Sequence, residues 1–162
     1  MLRGMAHPAV ENVEDYPRPP AIGPVGLTVR LVVDGETVAE TAEAWRICET
    51  HHPPGYYLPR RALRPGLLQE AQGGSFCEWK GRAVYFDVIG RGGPVRRGAW
   101  SYPAPAPSYA AIAGHVAFYL SERVQGWVGT QQALPQPGRF YGGWVTPNLT
   151  GRIKGAPGTL GW

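Results

Sequence analysis

Cysteine is nearly absent from this chain, and that removes whole classes of site. Only Cys48 and Cys77 occur in 162 residues, so a zinc site of four thiolates is impossible. No ligand pair has CxxC or HxxxH spacing. His51 and His52 are adjacent, and adjacent side chains on extended backbone point apart. We therefore expect no metal and no cofactor. Lysine is equally scarce, with Lys80 and Lys154 the only two. Arginines never form a run of more than two, which weighs against a nucleic-acid partner. No apolar run reaches membrane-spanning length, and no secretory hydrophobic segment stands near the start. The expectation is a cytoplasmic protein with free thiols and no membrane partner.

Glycine and proline are plentiful by contrast, at 23 and 17 residues. Together with 43% hydrophobic and 17% charged residues, they predict a globular chain of short strands and many turns, with little helix. The length suits one domain able to bury its own core. Net charge is +4 but uneven: up to Asp87 the balance is −2, and from Val88 onward it is +6.

Residues 1–24 read as an extended arm, because prolines at 17, 19, 20 and 24 oppose helix. A domain spans 25–128. Leu27–Val33 and Glu36–Glu40 flank Asp34-Gly35, a strong hairpin signal. A third strand follows at Ala44–Thr50. Residues 51–59 form a proline-stiffened loop with a short extended end. Arg60–Ala71 reads as a short helical turn broken at Pro65-Gly66. Ala83–Ile89 and the segment ending at Tyr102 form a second hairpin. PAPAP (103–107) is a stiff connector. Ile112–Trp127 reads as strand to Leu120 and then a short helical turn. Residues 129–162 are rich in Gly and Pro but punctuated by Phe140, Tyr141, Trp144, Val145, Leu149, Ile153, Leu160 and Trp162. That spacing predicts a tail wrapping the body or a neighbouring subunit, the latter making a homodimer.

Four blocks carry a family resemblance: RICETHHPPGYYLP (46–59), CEWKGRAVYF (77–86), AWSYPAP (99–105) and IAGHVAFY (112–119). In their order and spacing they resemble a bacterial family known as domain of unknown function 427, labelled nucleotidyltransferase-like. The resemblance covers residues 28–128, and GRIKGAPGTLGW (151–162) is similar to a tail in some members. It implies a mainly β fold of the β-tent type, similar to Mss4-like zinc proteins and methionine sulfoxide reductase B, with small antiparallel sheets packed at an angle around a groove. The chain departs from the pattern at Glu78, Ser108 and Arg96-Arg97-Gly98.

The residues weigh against nucleotidyl transfer. That chemistry needs paired carboxylates to hold metal ions. Asp87 stands alone beside Val88 and Ile89, and no GxxxxGK[ST] loop occurs. What remains is a groove for a small polar or aromatic ligand. Its expected lining is Glu49, His52, Tyr57, Cys77, Lys80, Tyr85, Trp100 and Tyr102, with Lys80 and Arg46 neutralising any acidic group. Two alternatives stand beside this reading. In an enzyme, Cys77 would be nucleophile or redox group, His52 or His115 the base, and Lys80 the group lowering the thiol pKa. In an interaction module, the aromatic tail would be the contact surface. A buried thiol and a plain aromatic core are the bland counterparts.

Overall fold

The computed structural model describes residues 6–138, 140–159 and 161–162. Leu160, one of the apolar residues singled out in the tail, lies outside them, as do residues 1–5. The chain begins with β1 (Glu11–Asn12) and β2 (Ala21–Pro24), followed by β3 (Val29–Val33), β4 (Glu36–Thr41), β5 (Trp45–Cys48) and β6 (Gly55–Tyr57). A long meander comes next: β7 (Leu68–Cys77), β8 (Gly81–Gly90) and β9 (Gly93–Ser101). Then come β10 (Val116–Phe118), β11 (Val124–Val128), β12 (Gln131–Gln132), β13 (Leu134–Pro135), β14 (Trp144–Val145) and β15 (Leu149–Thr150). Helix among the described residues is confined to 3-10 turns at Val13–Asp15, Arg60–Ala62 and Pro107–Ile112.

The fold is mainly β, with several small antiparallel sheets and, among the described residues, no closed barrel. Its two four-stranded sheets run β10-β9-β8-β7 and β12-β11-β3-β4, and a three-stranded sheet runs β2-β5-β6. Asp34 and Gly35 join β3 to β4 with φ of 49° and 81°, the positive pair that a two-residue type I′ turn requires. The Asp34 carboxylate accepts from Arg123 Nε at 2.8 Å, Arg123 Nη2 at 2.7 Å and Gly92 N at 2.8 Å. That ties the turn to β11's approach and to the β8–β9 turn. The Arg123 guanidinium holds the carboxyl pKa down at about 2.

Alternation along β8–β10 splits the meander sheet into two faces. Phe86, Val88, Ala99, Val116 and Phe118 join the main core with Val29, Leu31 and Val33 of the facing sheet. Ala83, Tyr85, Trp100, Tyr102, Ala117 and Tyr119 point the other way into a second, aromatic cluster. That cluster packs under the 3-10 turn at 107–112 and against Ile47 and Tyr57.

Two segments differ from expectation. Only Arg60–Ala62 of the predicted turn at 60–71 is helical, and Leu68–Ala71 starts the edge strand β7. The predicted helical turn after Leu120 is replaced by β11, which pairs with β3 from Val124↔Val33 to Val128↔Val29. The helix-like spacing of Val116, Leu120, Val124 and Trp127 loses to a ladder of long-range backbone hydrogen bonds. Among the described residues, no helix is long and apolar enough to cross a membrane.

The tail folds back onto these sheets. β13 pairs with β14, and β15 pairs in parallel with β1. Trp144 is fully buried in the main core. Between β13 and β14, Gln136 N donates to Gly143 O at 3.0 Å.

Candidate functional site

The aromatic face of the meander sheet opens into a cleft of about 330 Å³. Four parts of the chain wall it. Glu49 and His52 come from the end of β5 and the proline-stiffened loop that follows it, and Tyr57 from β6. Cys77, Trp79 and Lys80 come from the β7–β8 turn. Tyr85, Trp100, Tyr102 and Tyr119 come from the sheet face. Gln136, Tyr141, Gly142, Gly143 and Lys154 come from the tail.

The turn explains how Cys77 and Lys80 meet one cleft. On a continuous strand, residues three apart face opposite sides. Here the strand ends at Cys77, and Gly81 restarts it with φ of 109°. Ala106 N donates to Lys80 O at 2.9 Å, so the PAPAP connector braces the turn from behind. Within the sheet, Tyr85 lies directly opposite Trp100. Ser75 Oγ and Tyr85 Oη are 2.7 Å apart, and the Arg97 guanidinium stacks 4.0 Å above the Tyr85 ring. Tyr57 presents its edge to Trp100, with ring centroids 6.3 Å apart. Burial pushes the Tyr57 and Tyr102 hydroxyl pKa values well up, and that of Tyr119 to about 12. All three are neutral donors at physiological pH.

Gln136 organises the polar side of the cleft. Its Oε1 accepts from Gly143 N at 3.1 Å, and its Nε2 donates to Lys154 O at 2.7 Å. The amide is thereby locked, and the same Nε2 donates to His52 Nδ1 at 3.1 Å. Nδ1 must then be the unprotonated nitrogen, which leaves the proton on Nε2. Burial depresses the His52 pKa to about 4, and Lys154, Arg18 and Lys80 push it the same way against the opposing charge of Glu49. The only sealed side-chain N or O without a partner, among the described residues, is Gln131 Oε1. His52 Nε2 and the Tyr102 hydroxyl make no protein hydrogen bond among those residues, so they keep contact with the cleft or solvent.

A direct consequence is measurable. His52 should titrate near pH 4, as the Nε2–H tautomer, in long-range ¹H–¹⁵N NMR spectra. Because this pKa lies below the unfolded value of about 6.5, the unfolded chain binds the proton first. Stability should therefore decline as pH falls from about 6.5 towards 4 and level off below that. A titration midpoint near 6.5 would contradict the geometry.

Eight of the nine residues expected from sequence line this one cleft: Glu49, His52, Tyr57, Cys77, Lys80, Tyr85, Trp100 and Tyr102. Arg46 does not. It sits on the other face of β5, where Nη1 and Nη2 each donate at 2.7 Å to the Glu11 carboxylate. That fork lowers the Glu11 pKa and raises that of Arg46. His115 also lies outside the cleft, its Nδ1 3.3 Å from Ala113 O. His51 turns away, 3.1 Å from Arg152 O with its ring 5.0 Å from that of Trp162. Both cysteines are free thiols; Cys48 is buried, and burial pushes its pKa up to about 11. No group of three or more His, Cys, Asp or Glu among the described residues could hold a metal ion.

Sequence reasoning did not reach Gln136, Gly142, Gly143 or Lys154. Two signals were present. Gln136 stands between Pro135 and Pro137, and Lys154 is one of only two lysines.

Fold and cleft together define a mainly β domain with an aromatic, tail-covered cleft. The chain belongs to the family described as Domain of unknown function (DUF427), whose model matches residues 21–130. The match ends before Gln136, so the tail side of the cleft falls outside it. No curated protein matches the chain.

Proposed function

We propose that this protein binds a small polar or aromatic ligand in the cleft, held by stacking on Trp100, Tyr102 and Tyr141 and by hydrogen bonds from tyrosine hydroxyls. One observation supports the reading above others. Aromatic side chains from four separate parts of the chain converge on a single opening of about 330 Å³ instead of filling it. Sites for small molecules share this concave form, with ring faces to stack on, fixed polar groups to orient the ligand, and a volume that takes one or two rings. Phe76 and Phe140 also lie on its rim, and they are 73% and 74% exposed. Large apolar side chains left in water beside a cleft are suited to closing over a ligand.

Use of Cys77 as a nucleophile is less well supported. The Nδ1 of His52 is occupied by the Gln136 amide, and its Nε2 already carries a proton. His52 thus offers a donor to a ligand rather than a base to a thiol. In this reading Cys77 is a wall residue. An interaction module built on the tail is also weakened, because Trp144 is buried and Tyr141 faces the cleft.

The test is a screen of planar polar fragments by ¹H–¹⁵N NMR. Binding fragments should shift the indole N–H signals of Trp79 and Trp100 together with the amide of Gly142. Fragments that bind but leave those three signals unmoved would defeat the proposal, as would a library with no binder.

A further inference from the structure

The inference rests on the cleft being a ligand site, and it concerns the chemical class of the ligand. We propose that the ligand carries an acidic group, a carboxylate or a phosphate, held by Lys80 and Lys154 with the Nε2–H of His52 as a further donor.

The distribution of the cations carries this. The chain has only two lysines, and both line the same cleft. They arrive from unrelated places, Lys80 from the β7–β8 turn and Lys154 from the tail beyond β15. All seven ion pairs among the described residues use arginine, and neither lysine takes part in one. Each ammonium instead lies over a tyrosine face. Lys80 Nζ is 5.6 Å from the Tyr102 ring centroid, and Lys154 Nζ is 5.3 Å from that of Tyr141. A ring face gives a cation partial compensation without neutralising it.

The acids of the cleft do not cancel this charge. Glu49 is taken by Arg18, 3.1 Å away, and Glu78 is exposed on the rim. With Arg18 balancing the charge of Glu49 through Oε2, the cleft keeps two ammonium groups against the exposed Glu78. His52 adds no acceptor, because Nδ1 is filled by Gln136. The polar lining is therefore weighted towards donors: two ammonium groups, an imidazole N–H and tyrosine hydroxyls. Such a lining matches an oxyanion, whose oxygens only accept, and charge assistance strengthens each hydrogen bond. The aromatic walls then take the planar remainder of the molecule.

A matched series on one ring system separates the possibilities. Naphthalene-2-carboxylate, 2-naphthyl phosphate and naphthalene-2-carboxamide would be titrated by calorimetry into the full chain and into a Lys80→Gln/Lys154→Gln variant. Folding of the variant is checked by circular dichroism and thermal melting. At least one acid should bind the native chain about ten-fold more tightly than the amide, and the variant should lose that difference while still binding the amide. The better of the two acids identifies carboxylate or phosphate as the preferred group. Equal binding of acids and amide would overturn the acidic-ligand inference and leave the cleft reading standing. An acid preference that survives in the variant would equally overturn the role of the lysines. If none of the three binds at millimolar concentration, both readings fall.

Discussion

Trp144→Ala is expected to lower stability by about 3–5 kcal/mol, the range for removing a fully buried large aromatic. Trp144 lies beyond the segment matched by the family, yet it is 1% exposed in the main core. Its indole Nε1 donates to Phe118 O at 3.0 Å, and its backbone N donates to Pro54 O at 3.0 Å. Its ring lies 5.1 Å from that of Tyr56 and against Gly126, where a Cβ would come within 2.7 Å of it. The alanine variant therefore leaves a cavity between the sheets and strips a buried carbonyl of its donor. Trp144→Phe keeps most of the volume and should lose much less. Urea unfolding of the three proteins measures this. A loss below about 1 kcal/mol for the alanine variant would mean that the core does not depend on the tail.

The same residue shows why the sequence is readable in some places and not others. Asp34-Gly35 was legible because turn chemistry is local: two positive φ values need those residue types. β8 and β9 were legible because each carries β-branched or aromatic residues on both faces, one set for each core. β7 was not. It is a largely exposed edge strand with the polar sequence LQEAQGGSFC, and its register slips between Glu70 and Gly74. Nothing in such a strand alternates. β11 is hidden because Val116, Leu120, Val124 and Trp127 fall at helical spacing, and Gly126 reads as a break in a strand until Trp144 is known to lie on it. That reason comes from 18 positions further along the chain.

The cleft divides in the same way. Its sheet face and its proline-stiffened loop carry aromatic and ionisable side chains on regular elements, so period and family pattern both point to them. Its tail side is built from Gln136, Gly142, Gly143 and Lys154, within a Gly- and Pro-rich stretch that has no period. These residues matter through where the chain returns, and no local preference encodes that. The consequence for function is direct. The matched segment supplies the aromatic wall, whereas the tail supplies one of the two lysines and the amide that fixes the His52 tautomer.

Gly142→Val tests that division, and its expected effect is large. Gly142 needs space rather than an unusual backbone. A Cβ there would run into the indole of Trp100 and come within 3.1 Å of the Tyr119 ring. Trp100 cannot retreat easily, because its strand pairs with Tyr85 on one side and Ala117 on the other, and Tyr57 sits edge-on against it. The loop carrying Tyr141, Gly142 and Gly143 must lift instead, at a cost of about 1–3 kcal/mol for overpacking. Lifting the loop withdraws Gly143 N from Gln136 and Tyr141 from the edge of His52, whose ring centroid lies 4.8 Å from that of Tyr141. His52 then loses the burial that holds its pKa near 4, and its titration should move up towards the ordinary value of about 6.5. Fragment binding at Trp100 should weaken at the same time, since one wall of the cleft has moved. Unfolding measurements report the first effect and NMR titration of His52 the second. If the valine variant keeps both its stability and the His52 titration near pH 4, the loop does not bear on Trp100 as described, and the tail is not the wall that shapes the cleft.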